Sequence, residues 1–277
     1  MGYKTETEER KYTFKPYDEL TFTDSFMFYL AMQDEEICKG VIERLLGIKI
    51  KKIEYLNTEE TMKVDYEARS IRLDVYTEAD NKIYDVEVQT YKEDDIGKRL
   101  RYYQSVIDID NLKHGQSYSK LKESIIIFIA TKDLFRYGRA RYTFSNICHE
   151  DKNIELNDKT LKVIYNLKGD FKNLKPAEKD LLEYMANGKS SNNFTDKIDG
   201  IVAELKKQEK WRREYMTWEM TMLQVQETAR NEAIHEAQVE AAINFFANGV
   251  PVETIAKSLH MSEEQVEEII KGNTAEA

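Results

Sequence analysis

Two carboxylates, Asp74 and Glu87, lie in segments whose alternation predicts adjoining strands. In Ile71-Arg72-Leu73-Asp74-Val75-Tyr76 a period of two puts Ile71, Leu73 and Val75 on one face and Arg72, Asp74 and Tyr76 on the other. In Ile83 to Gln89, residues Ile83, Asp85, Glu87 and Gln89 share a face, and Tyr84, Val86 and Val88 share the opposite one. The short polar link Glu78-Ala79-Asp80-Asn81 predicts an antiparallel hairpin. If the turn is centred between Asp80 and Asn81, every facing pair has the same number sum as 80 and 81, so Asp74 faces Glu87 at about 5 Å between backbone carbons. Like charges placed so destabilise a sheet. A divalent cation, a raised pKa on one acid, or a neighbouring Arg would each offset the repulsion. A cation held there, with positions left for water and a phosphate oxygen, suits phosphodiester hydrolysis, because it polarises the phosphoryl group and lowers the pKa of the attacking water. Gln89 cannot carry a proton, but it can orient water or hold a phosphate oxygen. The plain alternative is a solvated sheet face, and Asp85 shares the parity of Glu87.

These strands need elements to position them. Thr23, Asp24 and Ser25 open a predicted helix from Phe26 to about Leu46, stopped by Gly47. Strands are expected over 49–56, 69–77 and 82–90, then a helix from about Asp94 to Leu112. The run Ser124 to Ala130 predicts a strand in the middle of a sheet. Further strands are expected over 141–148 and 161–167. Pro176 starts a helix that Gly188 ends. A long, interrupted helix follows over 195–247, then two short helices, 252–258 and 263–270, with Ser262 and Gln265 as a capping box. The expected division is an arm (1–20), a core (21–170), a helical extension (171–247) and a small helix–turn–helix-like tail (248–277).

Composition sets the bounds. Of 277 residues, 41% are hydrophobic, enough for a real core, and no apolar run approaches membrane-span length. Two cysteines, Cys38 and Cys148, cannot build a disulfide framework. With no leader-like start, a cytoplasmic protein without membrane association is expected. The net charge of −10 argues against nonspecific nucleic-acid binding, yet residues 97–141 hold ten Lys or Arg against four acids. Arg99, Arg101, Tyr102 and Tyr103 lie in that basic window, suited to a phosphate backbone or, more plainly, to a surface helix packing its tyrosines.

Leu73-Asp74 followed by Glu87-Val88-Gln89, within the order helix, three strands, helix, strand, resembles the PD-(D/E)XK nuclease core. The flanks are more specific. Leu20 to Phe28, Ile71 to Tyr76, Arg101-Tyr102-Tyr103-Gln104-Ser105 and Tyr142-Thr143-Phe144 are similar to the bacterial PD-(D/E)XK nuclease family transposases, over about residues 20 to 220. The resemblance implies an α/β, restriction-endonuclease-like fold, with a central mixed sheet flanked by helices and a long helical C-terminal extension. It implies a metal-dependent DNA endonuclease of recombination or mobile-element biology. Asp74 and Glu87 would bind Mg²⁺, with Mn²⁺ as a substitute, and Gln89 would stand where the motif has lysine. Leu73 stands where it has proline. Asp24 matches the acid of the opening segment and would assist at the metal, unless it merely favours the helix dipole. Arg99, Arg101 and Tyr103 would hold the DNA backbone. The rival is an inactive nuclease fold that binds DNA or protein, and RNA is an alternative substrate.

The apolar stripe Trp211, Tyr215, Trp218, Met222 and Val225 suits packing on the core, and the alanine-rich half that follows suits a homodimer through the C-terminal helices. Glu263, Glu264, Glu267 and Glu268 on the last helix argue against major-groove reading and favour an interaction module.

Overall fold

A computed structural model describes residues 14–55, 75–89 and 95–275. It divides into two compact units, Met1–Arg212 and Arg213–Ala277.

The first unit is built on a mixed six-stranded sheet. Its strands are β1 (Ile53–Tyr55), β2 (Val75–Ala79), β3 (Lys82–Gln89), β4 (Glu123–Ala130), β5 (Arg141–Phe144) and β6 (Thr160–Asn166), in the spatial order β1-β2-β3-β4-β6-β5. β3, β4 and β6 run parallel, and β1, β2 and β5 are antiparallel to their neighbours. The hairpin register is the expected one: Val75 faces Val86, and Tyr76 faces Asp85. Asp80 and Asn81 both have positive φ (50° and 62°), the conformation of a two-residue turn whose twist matches that of the strands it joins.

Both faces of the hairpin are covered. Val75, Val86 and Val88 are buried on one face, and Tyr76, Asp85 and Glu87 on the other. A polar second face was the plain alternative from alternation. The reason it is buried is the parallel connection from β3 to β4, which must cross the sheet by a helix. That helix is α3 (Ile96–Asn111), and its Ile96, Leu100, Tyr103 and Ile107 pack with Tyr76, Ile83, Ile126, Phe128 and Ile164.

α1 (Ser25–Ala31) and α2 (Glu35–Leu46) replace the single helix expected over this stretch. Asp34 ends the continuity: its carboxylate accepts the Ile37 N–H at 3.0 Å and starts α2 afresh. The segment before α1 is not loose from Tyr17 onward. Tyr17 and Leu20 are buried, the Tyr17 hydroxyl donates to the Leu205 carbonyl (2.9 Å), and Arg212 holds Asp18 with two bonds of 2.7 Å. α4 (Pro176–Asn187) and α5 (Asn193–Lys206) belong to the same unit, with Leu181, Leu182 and Ile198 fully buried.

Gly40 on α2 permits a close approach to α5. A β-carbon there would lie 2.2 Å from Phe194 Cε2, inside a ring that Arg44 also covers at 3.5 Å. Gly40→Ala should therefore lower the thermal midpoint, overpacking costing about 1–3 kcal/mol and outweighing the better helix propensity of Ala, about 1 kcal/mol. An unchanged or raised midpoint would show that Phe194 moves aside freely.

The second unit takes in most of α6 (Glu209–Ala247), with α7 (Val252–Leu259) and α8 (Glu263–Ala275). Ala242, Ile255, Ala256 and Val266 form its small core. The capping box is present: Ser262 N–H donates to Gln265 Oε1 (2.9 Å) and Gln265 N–H to Ser262 Oγ (3.2 Å). Tyr215 is buried and stacks on Trp218 with centroids 5.7 Å apart. Among the described residues, no helix is long and apolar enough to cross a membrane.

Candidate active site

Glu87 lies near the end of β3, 3% exposed, beside Phe128 of β4 in the register. A carboxylate so placed loses most of its hydration and needs compensating charge. Arg99 on α3 supplies it, with Nη2 at 3.6 Å from Glu87 Oε2. The same guanidinium donates from Nε to the Tyr103 hydroxyl at 2.7 Å, and lies 5.1 and 5.4 Å from the ring centres of Tyr103 and Phe128. Residues 99 and 103 are one helical turn apart, so both reach the same patch of sheet. Burial pushes the Tyr103 hydroxyl well above its usual pKa, and the Glu87 charge adds to this. It stays a neutral phenol that takes Arg99's proton-bearing nitrogen.

The expected site residues are thus partly sorted. Arg99 and Tyr103 turn inward to Glu87, and Tyr103, 4% exposed, belongs to the core rather than to a surface that could touch a DNA backbone. Arg101 is exposed. It lies about 200° round the helix from Arg99. Asp85 shares Glu87's face and is fully buried, but its register partner is Tyr76, not an acid. Gln89 is the last residue of β3, opposite Ala130, and its side chain lies outside the described residues. Asp74 also lies outside the described residues.

Asp24 stands at the N-cap of α1, but its carboxylate makes no capping bond to the helix. It accepts from Thr21 N (2.7 Å), Thr21 Oγ1 (2.8 Å) and Lys15 Nζ (2.8 Å), which pin the preceding loop. Its neighbour Ser25 donates from Oγ to the Val88 carbonyl at 3.2 Å, tying the start of α1 to the strand end that carries Glu87. This tie was not read from the sequence.

A second polar chain runs beneath α3. Gln104 is 8% exposed, and its amide donates to Ser124 Oγ (2.7 Å) and Asp108 Oδ1 (3.0 Å). The signal for it was a polar residue at a core position of the α3 stripe Ile96, Leu100, Tyr103, Ile107. Across the sheet, Tyr76 donates to Asp110 Oδ2 (3.0 Å) and accepts from Asn111 Nδ2. Burial pushes its pKa far up as well.

A mixed sheet with a helix crossing between parallel strands, and a buried acid at the end of the hairpin strand, defines a nuclease-type α/β core. The family model of the PD-(D/E)XK nuclease family transposases matches residues 27–184, and the chain belongs to that family. The match runs from within α1 through most of α4 and is narrower than the 20–220 implied by resemblance, leaving Asp24 just outside it. No curated protein and no solved structure matches the chain. Membership puts the chain in a nuclease class associated with mobile elements.

Proposed function

We propose that the chain is a metal-dependent DNA endonuclease that hydrolyses phosphodiester bonds. The observation that carries this is the hairpin register. Val75 faces Val86, Tyr76 faces Asp85, and the next residue on β3's covered face is the buried Glu87. Were the same pairing to continue one step, Asp74 would come opposite Glu87. Two carboxylates are the donors that a hard cation such as Mg²⁺ prefers, so Asp74 and Glu87 together would hold the ion. Bound there, it would supply Lewis-acid polarisation of a phosphate and a more acidic water. Gln89 would orient that water or a phosphate oxygen by hydrogen bonds. Arg99, poised on Glu87, would balance charge at the site. Arg101, exposed on the outer side of α3, would take the DNA backbone. Asp24 would serve by fixing the loop that sets α1 against β3.

One observation favours a second reading, a nuclease fold that binds without cutting. Arg99 already answers the charge of Glu87 at 3.6 Å, one of the offsets that the sequence left open. Plasmid nicking separates the two. Purified chain with Mg²⁺ should convert supercoiled DNA to nicked circles, and Asp74→Ala should not. Nicking by both proteins alike would remove the metal site from Asp74, and nicking by neither would favour the binding module.

A further inference from the structure

Along the flank of α3 runs a polar cleft of about 560 Å³. Its α3 wall is Gly97, Arg101, Gln104, Ser105 and Asp108, one stripe at spacings of three and four. That stripe is about 16 Å long, and it begins at the level of Arg99 and Glu87. The far wall comes from β6 and the segment between β5 and β6, with Lys162 and Asn146.

Three features of this cleft point to one class of ligand. The first is charge. Arg101, Lys122 and Lys162 line it against Asp108 and Asp158. Lys122 is tied to Glu78 at 2.5 Å, and Asp158 takes Asn146 (2.6 Å) and Thr160 (3.0 Å). Arg101 and Lys162 are in no ion pair among the described residues. Among the lining side chains three bases stand against two acids, which leaves the cleft positive by one charge. The second is an unmet hydrogen bond. Gln104 lines the cleft, its nitrogen is spent on Ser124 and Asp108, and its Oε1 is buried with no donor. A buried amide oxygen left so is costly, and an N–H from a ligand or a bridging water would relieve it. The third is size. The volume is in the range of small-molecule sites, and a duplex cannot enter it.

We infer that this cleft binds a nucleotide, its phosphate on Arg101 and Lys162 and its base edge toward Gln104. Two sources share that chemistry: an unpaired nucleotide of a DNA strand led past Glu87, or a free nucleotide. The inference does not require cleavage, and its test is run without divalent metal so that it fails or stands apart from the nuclease reading.

The test titrates the protein into a fluorescently labelled single-stranded oligodeoxynucleotide, with 2′-deoxyadenosine 5′-monophosphate as competitor. Lys162→Met should weaken binding about tenfold, the loss of one charge-assisted contact. It should also make the dependence on salt shallower by about 0.7 in the log–log slope, which a merely structural role for Lys162 would not do. Ser105→Glu sets a carboxylate in the cleft from an exposed helical position that tolerates it, and should weaken binding at least as much. Displacement of the strand by the mononucleotide, weakened in the same variants, identifies a free nucleotide as the source. Strand binding that the mononucleotide does not displace identifies DNA. Absence of binding to both probes, or binding that neither substitution moves, overturns the inference.

Discussion

Glu87→Gln is expected to reduce Mg²⁺-dependent nicking by about three orders of magnitude or more while the chain stays folded, since metal charge stabilisation supplies several kcal/mol and each 1.4 kcal/mol is a factor of ten. The substitution keeps the length and one oxygen of the side chain, so the space beside Phe128 stays filled and Arg99 keeps a polar neighbour. What it removes is the negative charge. Under the proposed mechanism an amide binds a hard cation far more weakly than a carboxylate, and the ion would be lost or misplaced. The measurement is the rate of conversion of supercoiled plasmid, alongside a melting curve. A melting midpoint within reach of wild type with nicking lost supports Glu87 as a metal ligand. Full nicking by Glu87→Gln would exclude it, and Asp85, fully buried on the same face, would be the next candidate.

The part of this site that could be read from sequence was its register. Alternation assigns faces, and Asp80-Asn81 fixes where the chain reverses, because both residues tolerate positive φ. Those two facts set every pair in the hairpin, and the pairs Val75–Val86 and Tyr76–Asp85 follow. What alternation cannot tell is whether the polar-looking face meets water. That depends on α3 crossing over it, a contact between residues distant in sequence. Periodicity within α3 did hold the answer for its side chains. Arg99 and Tyr103 are four apart and join the stripe of Leu100 and Ile107, whereas Arg101 falls on the other side. Grouping all three by their charge and aromatic character, without placing them on the helix, is what set Tyr103 on the DNA surface.

Other features were visible only in part. Asp34 with Glu35 and Glu36 behind it has the form of a helix start, yet the apolar run on either side of it masks the break between α1 and α2. The anchoring of Tyr17 and Asp18 rests on Leu205 and Arg212, nearly two hundred residues away, and no local pattern announces it. The cleft beside α3 is likewise assembled from four separate stretches, and only its α3 wall has a spacing that can be read in advance.

The ion pair at the centre of the site leads to the other large effect. Arg99→Met should destabilise the metal-free protein by about 2–4 kcal/mol, because removing one partner of a buried pair strands the other charge. The cost falls toward the lower end, since Arg99 is 20% exposed and water can reach its side of the pair. Met fills much of the same volume against Tyr103 and Phe128, so lost packing contributes less than lost charge. If Glu87 is a metal ligand, Mg²⁺ and the Arg99 guanidinium neutralise the same carboxylate. Removing the guanidinium then leaves more for the ion to stabilise, and saturating Mg²⁺ should raise the melting midpoint of Arg99→Met more than that of wild type. A ligand at a hundred times its dissociation constant adds about 2.7 kcal/mol, large enough to read as a shift in midpoint. Glu87→Gln supplies the control, with a midpoint that Mg²⁺ should leave where it is. Equal Mg²⁺ shifts in Arg99→Met and wild type would mean that the ion, if it binds, does so away from Glu87. In that event the pair with Arg99 is a fixed part of the core, and the fold serves for binding rather than cutting.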